Sequence, residues 1–230
     1  MPAFHNLYRH GFVRVAAYAP HVAPGDPAEN AARQITLARK ADESRAALVL
    51  FPELSLTGYA LDDLHHQALM LRAAEQAAAS LIEASRDLMP VIVAGAPVAV
   101  DGQLYNCALI IHRGRLLGIV PKSYLPNYRE FYEKRWFAEG PSAVADTIRY
   151  AGQDAAFGTK LVFAADDLPG FSFMAEICED LWAVQPPSLD GALAGANIIV
   201  NLSASNALIG KAREREALVR VQSQRTLGAY

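Results

Sequence analysis

Three apolar runs of strand length, residues 46–51, 116–120 and 171–177, limit what this chain can fold into more than any other feature. Each is close to continuous rather than alternating, which is the pattern of a strand covered on both faces. Such strands belong to layered folds, with helices or a second sheet on either side. The residues just past each run are equally informative: Pro52-Glu53, Pro121-Lys122 and Cys178. In layered α/β folds the sheet fixes the backbone, and the loop beyond a strand end presents side chains to substrate. A carboxylate, an ammonium and a thiol delivered in this way are parts for acyl transfer.

The remaining segments agree with an α/β order. Residues 12–18 read as a first strand. Asp26-Pro27-Ala28-Glu29 supplies an N-cap, a proline at the first helical position and a glutamate placed to close a capping box, so a helix is expected from Pro27 into the forties. Residues 68–86 carry apolar side chains at helical spacing, and Pro90 limits their extension. Residues 91–94, 105–112 and 116–120 read as neighbouring strands joined by hairpins at Asp101-Gly102 and Arg113-Gly114. Residues 124–141 are polar and aromatic without a clear period, as in an ordered loop that shapes a pocket. Strands are again expected at 161–164, 171–177 and 197–202, a short helix at 189–194, and an amphipathic helix at 210–227 with Arg and Glu on its wet face.

No Gly/Ser-rich or Pro-rich linker divides the chain, and 230 residues at 52% hydrophobic can bury one substantial core, so a single domain over residues 1–230 is expected. A net charge of -3 without a basic stretch argues against a nucleic-acid surface. No apolar run approaches the ~18 residues of a membrane span, and the N-terminus has no apolar signal core. Cys107 and Cys178 lie too far apart in sequence for a metal knuckle or a small disulfide scaffold. The expectation is a free thiol in a reducing cytoplasm, with no metal site.

A thiol attacks only as thiolate, and its free pKa of ~8.5 calls for a base or a positive charge nearby. Glu53 is suited to take the proton and later to activate water; Lys122 is suited to hold negative charge on sulfur or on the oxyanion, helped by a backbone N–H in the turn after Cys178. Taken singly, Glu53 reads as an ordinary loop carboxylate and Lys122 as an exposed lysine. Cys107, in an apolar strand, reads as a small core side chain. Cys178 differs, because Glu176, Glu179 and Asp180 surround it and an apolar strand does not usually finish in three carboxylates for packing reasons. The pair His65-His66 reads as part of a wet face.

At these residues the chain resembles the nitrilase, or carbon-nitrogen hydrolase, superfamily, whose members use a Glu-Lys-Cys triad. The matching stretches are Leu50-Phe51-Pro52-Glu53-Leu54-Ser55-Leu56-Thr57-Gly58-Tyr59, Pro121-Lys122-Ser123-Tyr124-Leu125-Pro126 and Ile177-Cys178-Glu179-Asp180-Leu181-Trp182. Within that superfamily it is most similar to the glutaminase domains of glutamine-dependent NAD synthetases. That likeness rests on Pro126-Asn127-Tyr128-Arg129-Glu130-Phe131-Tyr132-Glu133, on the stretch from Cys178 to Trp182, and on Asn201-Leu202-Ser203-Ala204-Ser205 followed by Gly210-Lys211.

The resemblance implies an α/β, nitrilase-like four-layer α-β-β-α sandwich, shortened at its C-terminal end. It makes Glu53 the general base, Lys122 the oxyanion stabiliser and Cys178 the nucleophile. Glutamine would be held by Tyr128, Glu179, Ser205 and Lys211, with Tyr59 lining the same pocket. A second Glu is expected in the loop after the lysine; Glu130 and Glu133 both qualify, and Glu133 is preferred. The glutaminase step implied needs no cofactor, whereas ATP, Mg and deamido-NAD belong to a C-terminal NAD synthetase domain absent from this chain. A homo-oligomer is also implied. The rival readings are a stand-alone amidase or nitrilase acting on another small amide, and a noncatalytic glutaminase-like assembly domain.

Overall fold

A computed structural model describes residues 5–230. Among them, seven strands form one sheet in the order β1-β2-β3-β4-β5-β7-β6, and three form a second in the order β10-β9-β8. In the larger sheet β1 (Val15–Ala17), β2 (Leu48–Leu50) and β3 (Val91–Val100) are parallel, and β4 (Gln103–His112) and β5 (Arg115–Pro121) follow as antiparallel hairpins. β7 (Gln153–Phe157) lies parallel to β5 and pairs with β6 (Thr147–Tyr150) at the edge. In the smaller sheet β9 (Ser172–Ile177) runs parallel to β10 (Ile198–Leu202) and antiparallel to β8 (Phe163–Ala164).

The continuous apolar runs have the origin expected for them, since successive side chains enter different cores. Ile92, Ala94, Leu109 and Ile111 pack under α1 (Pro27–Glu43) and α2 (Ala68–Ala84), against Ala38, Ala41, Ala78 and Leu81. Their neighbours Val93, Ala108 and Ile110 face the other way and meet Phe173, Ala175 and Ile177 of the smaller sheet. Met174 and Ile199 point outward from that sheet, beneath α3 (Pro187–Leu193). α4 (Lys211–Thr226) packs beside α3. Helices, sheet, sheet and helices make the four-layer α-β-β-α sandwich.

Local chemistry accounts for the boundaries. Asp26 caps α1 by accepting from the Glu29 N–H at 3.0 Å. The second half of the expected capping box is replaced, because the Glu29 carboxylate pairs with Arg33 one turn on at 2.8 Å. The Asp101-Gly102 and Arg113-Gly114 turns both have two consecutive positive φ values, the turn type whose twist suits a two-residue hairpin. Tyr150 and Gln153 flank a third such turn at Ala151-Gly152, which was not expected from the sequence.

Two expectations are corrected. α4 carries no broad apolar face; its one fully buried side chain is Gln222, which bonds Ser188. His65 does not lie on a wet face. It is buried against Trp136 and Phe137, with Nε2 on the Tyr59 carbonyl at 3.2 Å, and burial lowers its pKa. No helix of the described residues is long and apolar enough to cross a membrane.

Candidate active site

Glu53, Lys122 and Cys178 meet where β2, β5 and β9 end. They are 2%, 1% and 7% exposed. Burying a carboxylate and an ammonium is costly unless each is paired and hydrogen-bonded, and here each is. Lys122 Nζ donates to Glu53 Oε1 at 2.6 Å and to Glu133 Oε1 at 2.7 Å. Burial works against the ammonium, but the two carboxylates outweigh it and hold the Lys122 pKa above the usual lysine range. Glu53 Oε1 also accepts from Asn106 Nδ2 at 2.7 Å, and Oε2 accepts from the Ala204 N–H at 3.0 Å.

Glycine governs how Glu53 reaches this cluster. The Glu53 loop lies directly on β3, where a Cβ built on Gly95 would stand 2.3 Å from Leu54 N and 2.7 Å from the Pro52 carbonyl oxygen. Gly95 is therefore a close-approach position rather than a flexible one. Gly95→Ala is expected to lower stability by about 1–3 kcal/mol or more through overpacking, and to displace Glu53. Thermal unfolding checks this; an unchanged Tm would show that the loop gives way freely.

Cys178 opens a 3-10 turn, Cys178–Trp182, with φ 45°. That left-handed conformation crowds the Cβ of an ordinary residue and needs surrounding contacts to hold it. Asn201 Oδ1 accepts the Cys178 N–H at 3.0 Å. Asp180 Oδ2 accepts from Ile177 N at 2.8 Å, while its Oδ1 takes Ser123 N at 3.0 Å and Tyr124 N at 2.8 Å. One carboxylate thus ties the cysteine turn to the residues that follow Lys122. The thiol is pushed up to about 12, first by burial and then by the Glu53 charge, with Lys122 opposing.

The expectation that three carboxylates around Cys178 could not serve packing is corrected for two of them. Asp180 satisfies backbone donors. Glu176 is buried in the outer core, accepting from the Ser188 N–H at 2.9 Å and from the Tyr230 hydroxyl at 2.5 Å. Glu179 alone faces the cavity, where it accepts from the Tyr128 hydroxyl at 2.9 Å.

That cavity, of about 240 Å³, borders Cys178 and is lined by Tyr128, Glu179, Ser205 and Lys211 among others. Lys211 Nζ sits 5.6 Å from the Phe131 ring centroid and 5.4 Å from that of Trp182, and it bonds Asn206 Oδ1. Tyr59 is not in this lining. Its hydroxyl donates to Glu133 Oε1 at 2.7 Å, so it stands behind the cluster. Of the two loop glutamates, Glu133 touches Lys122, whereas Glu130 lines the cavity from an exposed position. Burial raises Glu133 to about 7 against the pull of Lys122, and its Oε2 is buried without a hydrogen-bond partner.

Sequence reasoning missed Asn106, Asn201 and Ser203. Asn106 had a usable signal, a primary amide in the middle of a buried apolar strand, which must find a partner. Ser203 Oγ donates to Cys178 Sγ at 3.4 Å. Cys107 is fully buried in β4, as expected of a core side chain, and burial raises its pKa. Among the described residues no group of three or more His, Cys, Asp or Glu is placed to hold a metal ion.

Two sheets back to back between helix pairs, with a carboxylate, an ammonium and a thiol gathered at strand ends, define a nitrilase-type sandwich. A family model described as carbon-nitrogen hydrolase matches residues 14–222, and the chain belongs to that family. It is 52% identical over 227 residues to a glutamine-dependent NAD(+) synthetase of Mycobacterium tuberculosis, covering 99% of this chain and 33% of that protein. It is 32% identical over 183 residues to one of Aquifex aeolicus, covering 80% and 29%. The chain thus spans about a third of the length of the curated relatives it matches. Among solved structures, a glutamine-dependent NAD(+) synthetase from Cytophaga hutchinsonii superposes with a TM-score of 0.81 at 26% identity, over 93% of this chain and 34% of that one. An amidase from Nesterenkonia sp. shares the fold, with a TM-score of 0.71 at 20% identity over 94% and 73%.

Proposed function

We propose that the chain, as one domain over residues 1–230, hydrolyses the side-chain amide of glutamine through a Cys178 thioester. In this reading it is the glutaminase part of a glutamine-dependent NAD synthetase. The observation that carries it is the cavity beside the thiol, which offers opposite charges to the two ends of a free amino acid: Glu179 for the ammonium, and Lys211 with Ser205 for the carboxylate.

Glu53 takes the thiol proton, the thiolate of Cys178 then bonds to the amide carbon, and the carbonyl π electrons move to oxygen. Lys122 and a backbone N–H of the turn stabilise that oxyanion. The Cys178 N–H already serves Asn201, so the donor is the next one along, that of Glu179. As the tetrahedral species collapses, the C–N bond breaks and ammonia leaves with the proton held by Glu53. Glu53 then draws a proton from water, whose oxygen adds to the thioester. The C–S bond breaks to release glutamate and a Cys178 thiolate, and Glu53 then returns its proton to sulfur. Glu133 keeps Lys122 charged and aimed, and its unpartnered Oε2 is an acceptor for the substrate amide.

The ammonia would amidate deamido-NAD at an ATP- and Mg-using synthetase domain of the longer protein, and no residue here is assigned to those ligands. A cytoplasmic location suits a thiol that must stay reduced, and a homo-oligomer belongs to the same reading. A panel of small amides tests it through ammonia release. Glutamine is expected to be the best substrate, with asparagine and simple aliphatic amides slower by at least about 10-fold each, because they leave Glu179 or Lys211 unpaired. Equal rates across the panel would favour a general amidase.

A further inference from the structure

We propose that the Ser203 hydroxyl is a catalytic group of this site, donating to Cys178 Sγ and carrying part of the negative charge whenever that sulfur becomes a thiolate. The inference rests on the Cys178 chemistry proposed above and adds a residue to it. Ser203 Oγ stands 3.4 Å from Sγ, within the range of a hydrogen bond to sulfur. A hydroxyl has one proton to give. The accepting side of this one takes the Ser205 N–H at 3.3 Å, which orients the hydroxyl and leaves its proton for the sulfur.

Competition for the thiolate among the other donors strengthens the case. Two of the three Lys122 N–H bonds go to Glu53 and Glu133. The third is needed by the oxyanion. The Cys178 N–H is held by Asn201, whose Oδ1 is thereby engaged. Burial pushes the thiol upward, so a thiolate here needs a dedicated donor.

The end of β10 is also rigidly tied to the same centre. Within four residues Asn201 binds the Cys178 backbone, Ser203 binds its sulfur and the Ala204 N–H binds Glu53 Oε2. The segment therefore spans both base and nucleophile, and fixes the hydroxyl relative to each.

The hydroxyl would act twice in a turnover. When Glu53 removes the thiol proton, the hydrogen bond to neutral S–H becomes a stronger one to S⁻. It weakens as the S–C bond forms and sulfur loses its charge. It strengthens again when the C–S bond breaks in the second half, before Glu53 returns the proton.

The test compares wild-type chain with Ser203→Ala, Ser203→Thr and Ser203→Val. Thr and Val share a shape and differ in the hydroxyl. Two rates are read on each folded variant: alkylation of Cys178 by iodoacetamide at mildly alkaline pH, followed by peptide mass spectrometry, and ammonia release from glutamine. Ala and Val are expected to slow both by about 10- to 100-fold, as for loss of a hydrogen bond to a charged group, with KM little changed and Thr close to wild type. Wild-type alkylation in Ala or Val, or equal slowing in Thr and Val, would overturn the proposal. The alkylation arm needs no glutamine, so it judges Ser203 even if the wild-type chain releases no ammonia, a result that would count against the glutaminase reading alone.

Discussion

Glu53→Gln is expected to cut ammonia release from glutamine by about 10²–10⁴-fold, the usual contribution of a general base. The environment of the carboxylate explains why an isosteric change is so damaging. Its hydrogen-bond partners among the described residues are all donors: Lys122 Nζ and Asn106 Nδ2 on Oε1, and the Ala204 N–H on Oε2. An amide must turn its NH₂ toward one of these two groups, setting donor against donor in a buried site. Leaving a buried donor unpaired costs about 1–3 kcal/mol, so a lowered Tm should accompany the lost rate. Lys122 would also depend on Glu133 alone for charge balance. Glu53→Asp keeps the charge but withdraws it by one methylene, and an intermediate rate is expected. Steady-state kinetics and thermal unfolding on the same preparations separate the two effects. Glu53→Gln activity within about tenfold of wild type would mean that another group serves as base.

The layers of the sandwich were legible because strands covered on both faces leave continuous apolar runs, and β2, β5 and β9 all fell where such runs predicted. β3 was harder. Gly95 and Pro97 interrupt the pattern after Ala94, yet the strand continues to Val100, because Gly95 is there to let the Glu53 loop approach and Pro97 is still accommodated opposite Asn106. The β6–β7 hairpin was missed because Thr147–Tyr150 and Gln153–Phe157 carry no continuous apolar run of strand length to frame the Ala151-Gly152 turn.

Glu53, Lys122 and Cys178 were legible for a different reason. A polar residue at the end of a buried strand has to be accommodated, and three with complementary chemistry suggest one site. Their supports were not, since each hydrogen bond closes over a long stretch of chain: Asn106 lies 53 residues from Glu53, and Ala204 151 residues from it. The same distance hid the roles of Glu176 and Asp180. Beside Cys178 they looked like parts of its chemistry. In the fold one satisfies the outer core and the other three backbone N–H groups.

Cys178→Ala should abolish ammonia release, because without sulfur no thioester forms and the Lys122 ammonium has no oxyanion to stabilise. The side chain is small and its turn is held by backbone bonds to Asn201 and Asp180, so the variant is expected to fold. Cys107 cannot substitute, being wholly buried in β4 with its thiol raised by burial. The most direct measurement is peptide mass spectrometry of the chain mixed with glutamine and quenched in acid. The Cys178 peptide should gain one glutamyl group, the Cys107 peptide none, and the Cys178→Ala chain should show neither adduct nor ammonia. An adduct on Cys107, or wild-type ammonia release from Cys178→Ala, would contradict a Cys178 thioester.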